Sequence, residues 1–140
     1  MEGVENFLIH GGHSSVRSRG TRGLAGQKTE SNGWPVGLRH PLLREKRIAA
    51  LTLQNKALGT SGSGTQFFIE KGQKIGHILD PRTGQPASGV LSATVLADTA
   101  AEADALATAA YILGPQEIDH IAPEGGAVAA ILVVKDEHTS

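Results

Sequence analysis

A carboxylate and a hydroxyl lie one helical turn apart in the second half of the chain. Asp104 and Thr108 belong to an alanine-rich run that is typical of a helix, and side chains four residues apart share one helical face. They offer only hard oxygen ligands, which suit Mg²⁺ because that ion keeps waters and phosphate oxygens in most of its octahedron. The start of a helix also favours a pyrophosphate, since its N–H groups are unpaired. From the spacing alone, a solvated polar pair remains the default interpretation.

His77 is the best candidate for a general base by residue type, since its unperturbed pKa lies near neutrality. Asp80 follows three residues later, in a turn that contains Pro81 and ends at Gly84. We expect Asp80 mainly to hold this loop. The alternative is that His77 is a half-buried strand residue and Asp80 simply caps the turn.

Small residues form a second candidate site. Residues 47–54 are largely apolar and rich in β-formers, which predicts a central strand that is buried on both faces. Residues 56–64 follow and include Thr60, Ser61 and Gly62. We predict a loop here whose bare backbone N–H groups could approach a phosphate or a planar ring. A flexible turn without a ligand is the alternative.

The remaining pattern predicts the elements that must position these residues. A capping box at Thr99 and Glu102 starts a helix that Gly114-Pro115 ends, and a short helix follows. The predicted strands are 6–10, 33–39, 47–54, 65–70, 74–79, 91–97 and 127–134, with an irregular loop or long hairpin at 17–33. We therefore predict an α+β fold with a mixed or antiparallel sheet of about six strands, one main helix and one short helix.

Length and composition restrict the function. The 140 residues predict one domain, and 13 basic against 14 acidic residues argue against a nucleic-acid-binding surface. The absence of cysteine excludes disulfides and cysteine-based zinc sites. The first ten residues contain two acids and no long apolar run, unlike a secretory signal, and no stretch is long enough to span a membrane.

Several of these motifs together resemble the C-terminal half of the FAD:protein FMN transferase (ApbE) family. The resemblance runs from about residue 5 to about residue 134. The motifs that carry it, in family order, are Phe7-Leu-Ile-His-Gly-Gly12, Trp34-Pro-Val-Gly37 with Pro41, Thr60-Ser-Gly62, His77-x-x-Asp-Pro-x-Thr-Gly84 and Ala103-Asp-Ala-Leu-Ala-Thr108. It implies part of a T-fold-like domain.

The resemblance also implies an activity and roles for the candidate residues. Such an enzyme cleaves the FAD pyrophosphate and moves FMN to a Ser or Thr hydroxyl of a target protein, releasing AMP. Asp104 and Thr108 match the residues that bind Mg²⁺ in the family, and His77 matches a histidine at the flavin site. His77 or Asp104 would serve as the base, and Thr60, Ser61 and Gly62 would hold FAD.

Four alternatives stay open. With water as the acceptor, the same site would be an FAD pyrophosphatase. The chain could instead be a non-catalytic flavin- or nucleotide-binding remnant, one subunit of a split enzyme, or a structural fragment whose open edge is covered by self-association. Relatives carry a further N-terminal half that has no counterpart in these residues, and a half-domain leaves a sheet edge or an apolar face unpaired. We therefore expect a homo-oligomer or a partner that supplies the N-terminal segment. Relatives are often exported, but the sequence predicts no compartment for this chain.

Overall fold

The computed structural model describes residues 3–12, 14–22, 33–43, 45–63 and 67–135. The strands are β1 (Phe7–Gly11), β2 (Ser15–Arg19), β3 (Trp34–Arg39), β4 (Arg47–Leu53), β5 (Ala57–Gly62), β6 (Phe67–Glu70), β7 (Gln73–Gly76), β8 (Leu79–Asp80), β9 (Gln85–Pro86), β10 (Val90–Ala97) and β11 (Ala129–Val134). The helices are α1 (Ala100–Leu113) and α2 (Ile118–Ile121), with a 3₁₀ turn at Pro115–Glu117 between them.

The described residues are built around a five-stranded sheet with the strand order β1-β2-β5-β10-β11. All four of its strand pairs are antiparallel. The strand pairs β3–β4, β6–β7 and β8–β9 form separate two-stranded sheets. The predicted α+β class with an antiparallel sheet is confirmed, although the main sheet has five strands rather than about six.

Helix α1 starts and ends where the capping signals predict. The Thr99 hydroxyl accepts a hydrogen bond from the Glu102 N–H, which satisfies one of the unpaired donors of the first turn. Gly114 ends the helix with φ 76°, a conformation that glycine adopts without steric cost. The predicted main and short helices are therefore both present.

The two faces of the sheet are covered by different layers. Side chains alternate between the two faces of a sheet along each strand. Ala57 and Ala97 therefore face Ala103 of α1, whereas Leu58, the residue after Ala57 in β5, faces Leu53 of the β3–β4 hairpin. Val95 and Ala93 belong to the helix side, where they pack near Ala107, Ala110 and Tyr111. The chain thus builds three layers: helix, sheet and hairpin.

The prediction that residues 47–54 form a central strand buried on both faces is wrong. Strand β4 pairs with β3 alone, outside the main sheet. Leu51 and Leu53 pack toward the sheet, while Ile48 is 40% exposed. A run of apolar residues was therefore compatible with a strand covered on only one face.

The prediction of a loop at residues 56–64 is also wrong over most of its length. Strand β5 occupies Ala57–Gly62 and is the middle strand of the main sheet. Its backbone is paired with β10 throughout and with β2 from Ala57 to Gly59. The N–H groups in this part of the strand are therefore not bare, because the ladder uses them.

The β6–β7 hairpin turns at Lys71-Gly72 as predicted, with φ values of 49° and 79°. Its second strand ends at Gly76, earlier than the predicted residue 79. The last predicted strand, at residues 127–134, corresponds to β11, a half-exposed edge strand of the sheet. Of the predicted loop or long hairpin at 17–33, residues 17–19 belong to strand β2, and residues 23–32 lie outside the described part. Within the described residues, no helix is both long and apolar enough to cross a membrane.

Candidate functional site

Strand β5 and helix α1 are joined at the predicted site by two hydroxyls. The Ser61 Oγ lies 2.9 Å from the Thr108 Oγ1, and the Thr108 hydroxyl also lies 3.3 Å from the carbonyl oxygen of Asp104 in the preceding turn. Ser61 and Thr108 are both half-buried. The structure therefore brings together one residue from the predicted ligand-binding segment and both residues of the predicted metal pair.

Gly59 allows the helix to lie this close to the strand. A Cβ atom at Gly59 would clash with the carbonyl oxygen of Ala103 and lie 2.7 Å from the backbone nitrogen of Asp104. Only a residue without a side chain permits that approach. Gly59 thus fixes where the first turns of α1, and with them Asp104, stand against the sheet.

The oxygen donors around Thr108 partly fit a Mg²⁺ ion. Asp104 is exposed, so its carboxylate is accessible to an ion, and Thr108 lies one turn further on the same helix face. Both groups are hard oxygen donors of the type Mg²⁺ prefers. Among the described residues, no group of three or more His, Asp and Glu side chains could hold a metal. Water and phosphate oxygens would have to complete the coordination.

Thr60 lies on the opposite face of the sheet from Ser61. Its hydroxyl is 2.9 Å from the hydroxyl of Thr94, its cross-strand neighbour on β10. Thr94 is only 4% exposed, and this face is the one that the β3–β4 hairpin covers. Of the predicted segment Thr60-Ser61-Gly62, the structure therefore turns the Ser61 side chain, and not the Thr60 side chain, toward the helix.

Gly62 ends β5, where it pairs with Ser92. A Cβ atom at this position would lie 2.9 Å from the Leu91 carbonyl oxygen, so Gly62 also serves a close backbone approach. Strand β2 pairs with β5 only as far as Gly59, and the Thr60 N–H then donates to the Ser14 carbonyl. The end of β5 at Ser61 and Gly62 is therefore less covered than its middle.

His77 is exposed and follows directly after β7. The preceding Gly76 lies against the end of β5, since a Cβ there would be 3.1 Å from the Ser63 Cβ and 3.9 Å from the Tyr111 hydroxyl oxygen. A cavity of about 160 Å³ opens at this junction, lined among others by Ser63, Gly76 and Tyr111. The segment of His77 and the end of β5 are thus spatial neighbours.

Asp80 holds the turn that follows. Its carboxylate accepts hydrogen bonds from the backbone N–H and the guanidinium of Arg82, and its carbonyl accepts from the N–H groups of Thr83 and Gly84. The Arg82 hydrogen bonds keep the pKa of the Asp80 carboxyl below its ordinary value. These contacts agree with a loop-holding role for Asp80.

Sequence reasoning missed the residues that set the geometry of the site. The sequence pattern predicts a loop at Gly59, although a glycine inside a strand is also a known sign of close backbone approach. The pairing of Ser61 with Thr108 had no local signal, because the two residues are 47 positions apart. Thr94, the partner of Thr60, was missed for the same reason.

Fold and site together define an antiparallel α+β domain with an exposed carboxylate and paired hydroxyls where its main helix crosses the central strand. The sequence model of the ApbE family matches residues 1–132. The chain belongs to the ApbE family.

Relatives of known name agree with this assignment. The FAD:protein FMN transferase of Klebsiella pneumoniae is 35% identical over 138 residues, and that of Escherichia coli K12 is 31% identical over 138 residues. Each match covers 97% of this chain and 37% of the relative. The chain therefore spans little more than a third of the length of these relatives.

Solved structures of the family share the fold. The ApbE protein of Thermotoga maritima superposes with a TM-score of 0.76 at 29% identity, covering 92% of this chain and 40% of that one. The flavin transferase ApbE of Vibrio cholerae gives a TM-score of 0.72 at 25% identity, covering 97% of this chain and 41% of that one.

Proposed function

We propose that this chain carries the metal and flavin-nucleotide site of an FAD:protein FMN transferase. The reaction moves FMN from FAD to a Ser or Thr hydroxyl of a target protein and releases AMP. The single observation that carries this proposal is the Ser61–Thr108 hydrogen bond, which joins the predicted nucleotide segment to the helix with Asp104. The names of the relatives support the same activity.

The chemistry requires charge neutralisation at a pyrophosphate. The acceptor oxygen forms a bond to the phosphorus of the FMN half, and the bond from that phosphorus to the bridging oxygen breaks, so that AMP leaves with the bond electrons. Asp104 and Thr108 would hold Mg²⁺, which when bound supplies positive charge to the phosphate oxygens and the leaving group. The exposed carboxylate of Asp104 suits a site that must admit a phosphate beside the metal.

A base must take the proton of the acceptor hydroxyl. His77 and Asp104 are the two candidates on this chain, and both are exposed. By residue type, His77 is the better general base of the two. A Cβ atom at Gly76 would lie 3.1 Å from the Ser63 Cβ, so the segment that carries His77 lies next to the end of β5, where Gly62 would contact FAD.

The binding of the metal and the binding of the nucleotide should strengthen each other at this site. The described residues contain no complete set of acidic and histidine ligands, so phosphate oxygens would supply part of the coordination. A site of this type binds FAD more tightly with Mg²⁺ than without it, and binding of the metal gains by the same factor.

Calorimetric titration of the chain with FAD, with and without Mg²⁺, tests the proposal. We expect binding that Mg²⁺ strengthens, and Asp104→Ala should abolish that strengthening. Asp119→Ala, which removes an exposed carboxylate of α2, is the matched control and should behave like the wild type. Absence of FAD binding by the wild type under both conditions would overturn the proposal.

Product analysis separates transfer from hydrolysis. Incubation with FAD, Mg²⁺ and a peptide that carries a Ser or Thr acceptor should give AMP and an FMN-modified peptide in equal amounts. Release of AMP and free FMN in the absence of the acceptor would support the pyrophosphatase alternative instead.

Self-association or a partner segment is a second part of the proposal. Phe68 and Ile69 in the β6–β7 hairpin are 54% and 69% exposed, an unusual exposure for adjacent large apolar side chains. Coverage of such a surface by a second copy or by a partner would remove it from water. Sedimentation velocity of the purified chain should show a species larger than the 14.6 kDa monomer, and a monomer at all concentrations would argue against self-association.

A further inference from the structure

The Ser61–Thr108 contact has a defined direction when its hydrogen atoms are counted. A threonine hydroxyl has one hydrogen to donate and two lone pairs that accept. The Asp104 carbonyl can only accept, so the Thr108 hydrogen is used in the bond of 3.3 Å to that carbonyl. Both contacts are hydrogen bonds only when Ser61 donates its own hydrogen across the 2.9 Å to the Thr108 oxygen.

This arrangement leaves one lone pair of Thr108 without a partner. Neither the Ser61 nor the Thr108 side chain makes any other hydrogen bond within the part of the chain that is described. A hydroxyl that binds a cation must present a lone pair rather than its hydrogen, because the hydrogen carries the positive end of the O–H dipole. The two neighbours of Thr108 together orient its hydroxyl in this way.

We propose that Ser61 is a positioning residue for a divalent cation at Asp104 and Thr108. It acts through Thr108 by donating to that oxygen, rather than by binding the nucleotide itself. This inference rests on the proposed function, since it assumes that the pair binds the metal. Groups that orient metal ligands in this manner change metal affinity although they do not contact the ion.

The position of Ser61 in a strand makes it suited to this task. Ser61 pairs with Ala93 in the sheet ladder, and Gly59 two residues earlier packs against the helix backbone at Ala103 and Asp104. Both ends of the hydrogen bond are therefore held by rigid elements. A serine in a flexible loop would have to be ordered at each binding event, at an entropic cost.

Mn²⁺ is a convenient probe, because carboxylate and hydroxyl oxygens bind it as they bind Mg²⁺ and its free form is counted by electron paramagnetic resonance. The full chain is titrated with Mn²⁺, with and without FAD. We expect Ser61→Ala to raise the Mn²⁺ dissociation constant about tenfold. Ser61→Thr keeps the hydroxyl on a residue that strands favour, and should restore most of the affinity.

Thr94→Val is the matched control. It removes a hydroxyl–hydroxyl bond of the same 2.9 Å length from the neighbouring position of the sheet, on the face away from the helix. Its Mn²⁺ affinity should stay within about twofold of the wild type. Circular dichroism melting of each variant checks that a loss of affinity is not a loss of fold.

A double-mutant cycle shows whether Ser61 changes the metal affinity through Thr108. If Ser61 acts through Thr108, Ser61→Ala should cost nothing further in a Thr108→Val background. An equal loss in both backgrounds would mean that Ser61 contacts the ion or the nucleotide independently, and would overturn the positioning role.

Wild-type affinity that Asp104→Ala abolishes but Ser61→Ala leaves unchanged would overturn the role of Ser61 alone. Wild-type protein that binds neither Mn²⁺ nor FAD would overturn both proposals.

Discussion

Thr60 and Ser61 are adjacent in β5, yet they serve two different regions of the molecule. Each makes a hydroxyl–hydroxyl hydrogen bond of 2.9 Å. Thr60 reaches the buried Thr94 under the β3–β4 hairpin, whereas Ser61 reaches Thr108 on a helix beside the exposed Asp104. The same chemistry therefore stabilises the sheet on one face and builds a candidate metal site on the other.

The two faces of the main sheet also differ in how they are packed. Backbone approaches backbone on the helix face, through Gly59 and the small residues Ala57, Ala97 and Ala103. Larger side chains such as Leu38, Leu53 and Leu58 fill the hairpin face. Close backbone contact tolerates no added atom, while a layer of leucines can adjust. The helix face should therefore be the more sensitive of the two.

Gly59→Ala should have the largest effect. Its methyl group would meet the helix backbone at Ala103, and we expect a loss of about 2–3 kcal/mol in the free energy of unfolding, measured in urea. Gly37→Ala is the control on the hairpin, because the atoms nearest to its methyl group would be those of the flexible Arg47 side chain. Equal losses for both variants would contradict the proposed difference between the faces.

Thr94→Val should cause the second largest loss of stability. The change leaves the half-buried Thr60 hydroxyl without its partner, and we expect a loss of about 1–2 kcal/mol on thermal or urea unfolding. Ser61→Ala should cost less stability, since Ser61 and Thr108 are both half-buried, whereas Thr94 is only 4% exposed. A larger loss of stability for Ser61→Ala than for Thr94→Val would assign Ser61 a mainly structural role.

Thr99→Ala should destabilise the start of α1. The variant removes the hydroxyl that accepts from the Glu102 N–H, at an expected cost of about 1 kcal/mol. Amide hydrogen exchange should speed up first around Asp104, the nearest candidate site residue. Unchanged exchange there would mean that packing against Gly59, and not the cap, fixes this turn.

Arg82→Ala should have the smallest effect, and this effect is measured as a change in the pKa of the Asp80 carboxyl. The Arg82 hydrogen bonds lower the pKa of Asp80, so their contribution to stability is complete above the ordinary carboxyl pKa of about 4 and is lost as the pH falls below it. Removal of Arg82 should raise the pKa of Asp80 toward that ordinary value in a carboxyl NMR titration. An unchanged pKa would show that backbone groups alone hold the turn.

Local signals in the sequence predicted the helix and its limits well. Thr99, Glu102 and Gly114 act within a few residues of themselves, and the Lys71-Gly72 turn is equally local. The predictions for residues 47–54 and 56–64 were wrong because sheet membership depends on partners far away in the chain. An apolar run does not show whether one or both of its faces will be covered, and a glycine does not show whether a turn or a helix requires it.

The sequence by itself determined the family, the α+β class and the residue types of the candidate site, including Asp104, Thr108 and His77. Only the tertiary structure decided that Ser61 meets Thr108 while Thr60 turns away to Thr94. The physical reason is the two-residue period of a strand, which sends neighbouring side chains to opposite faces once the strand is known. Spacing along the chain cannot supply that information until the partners of the strand are in place.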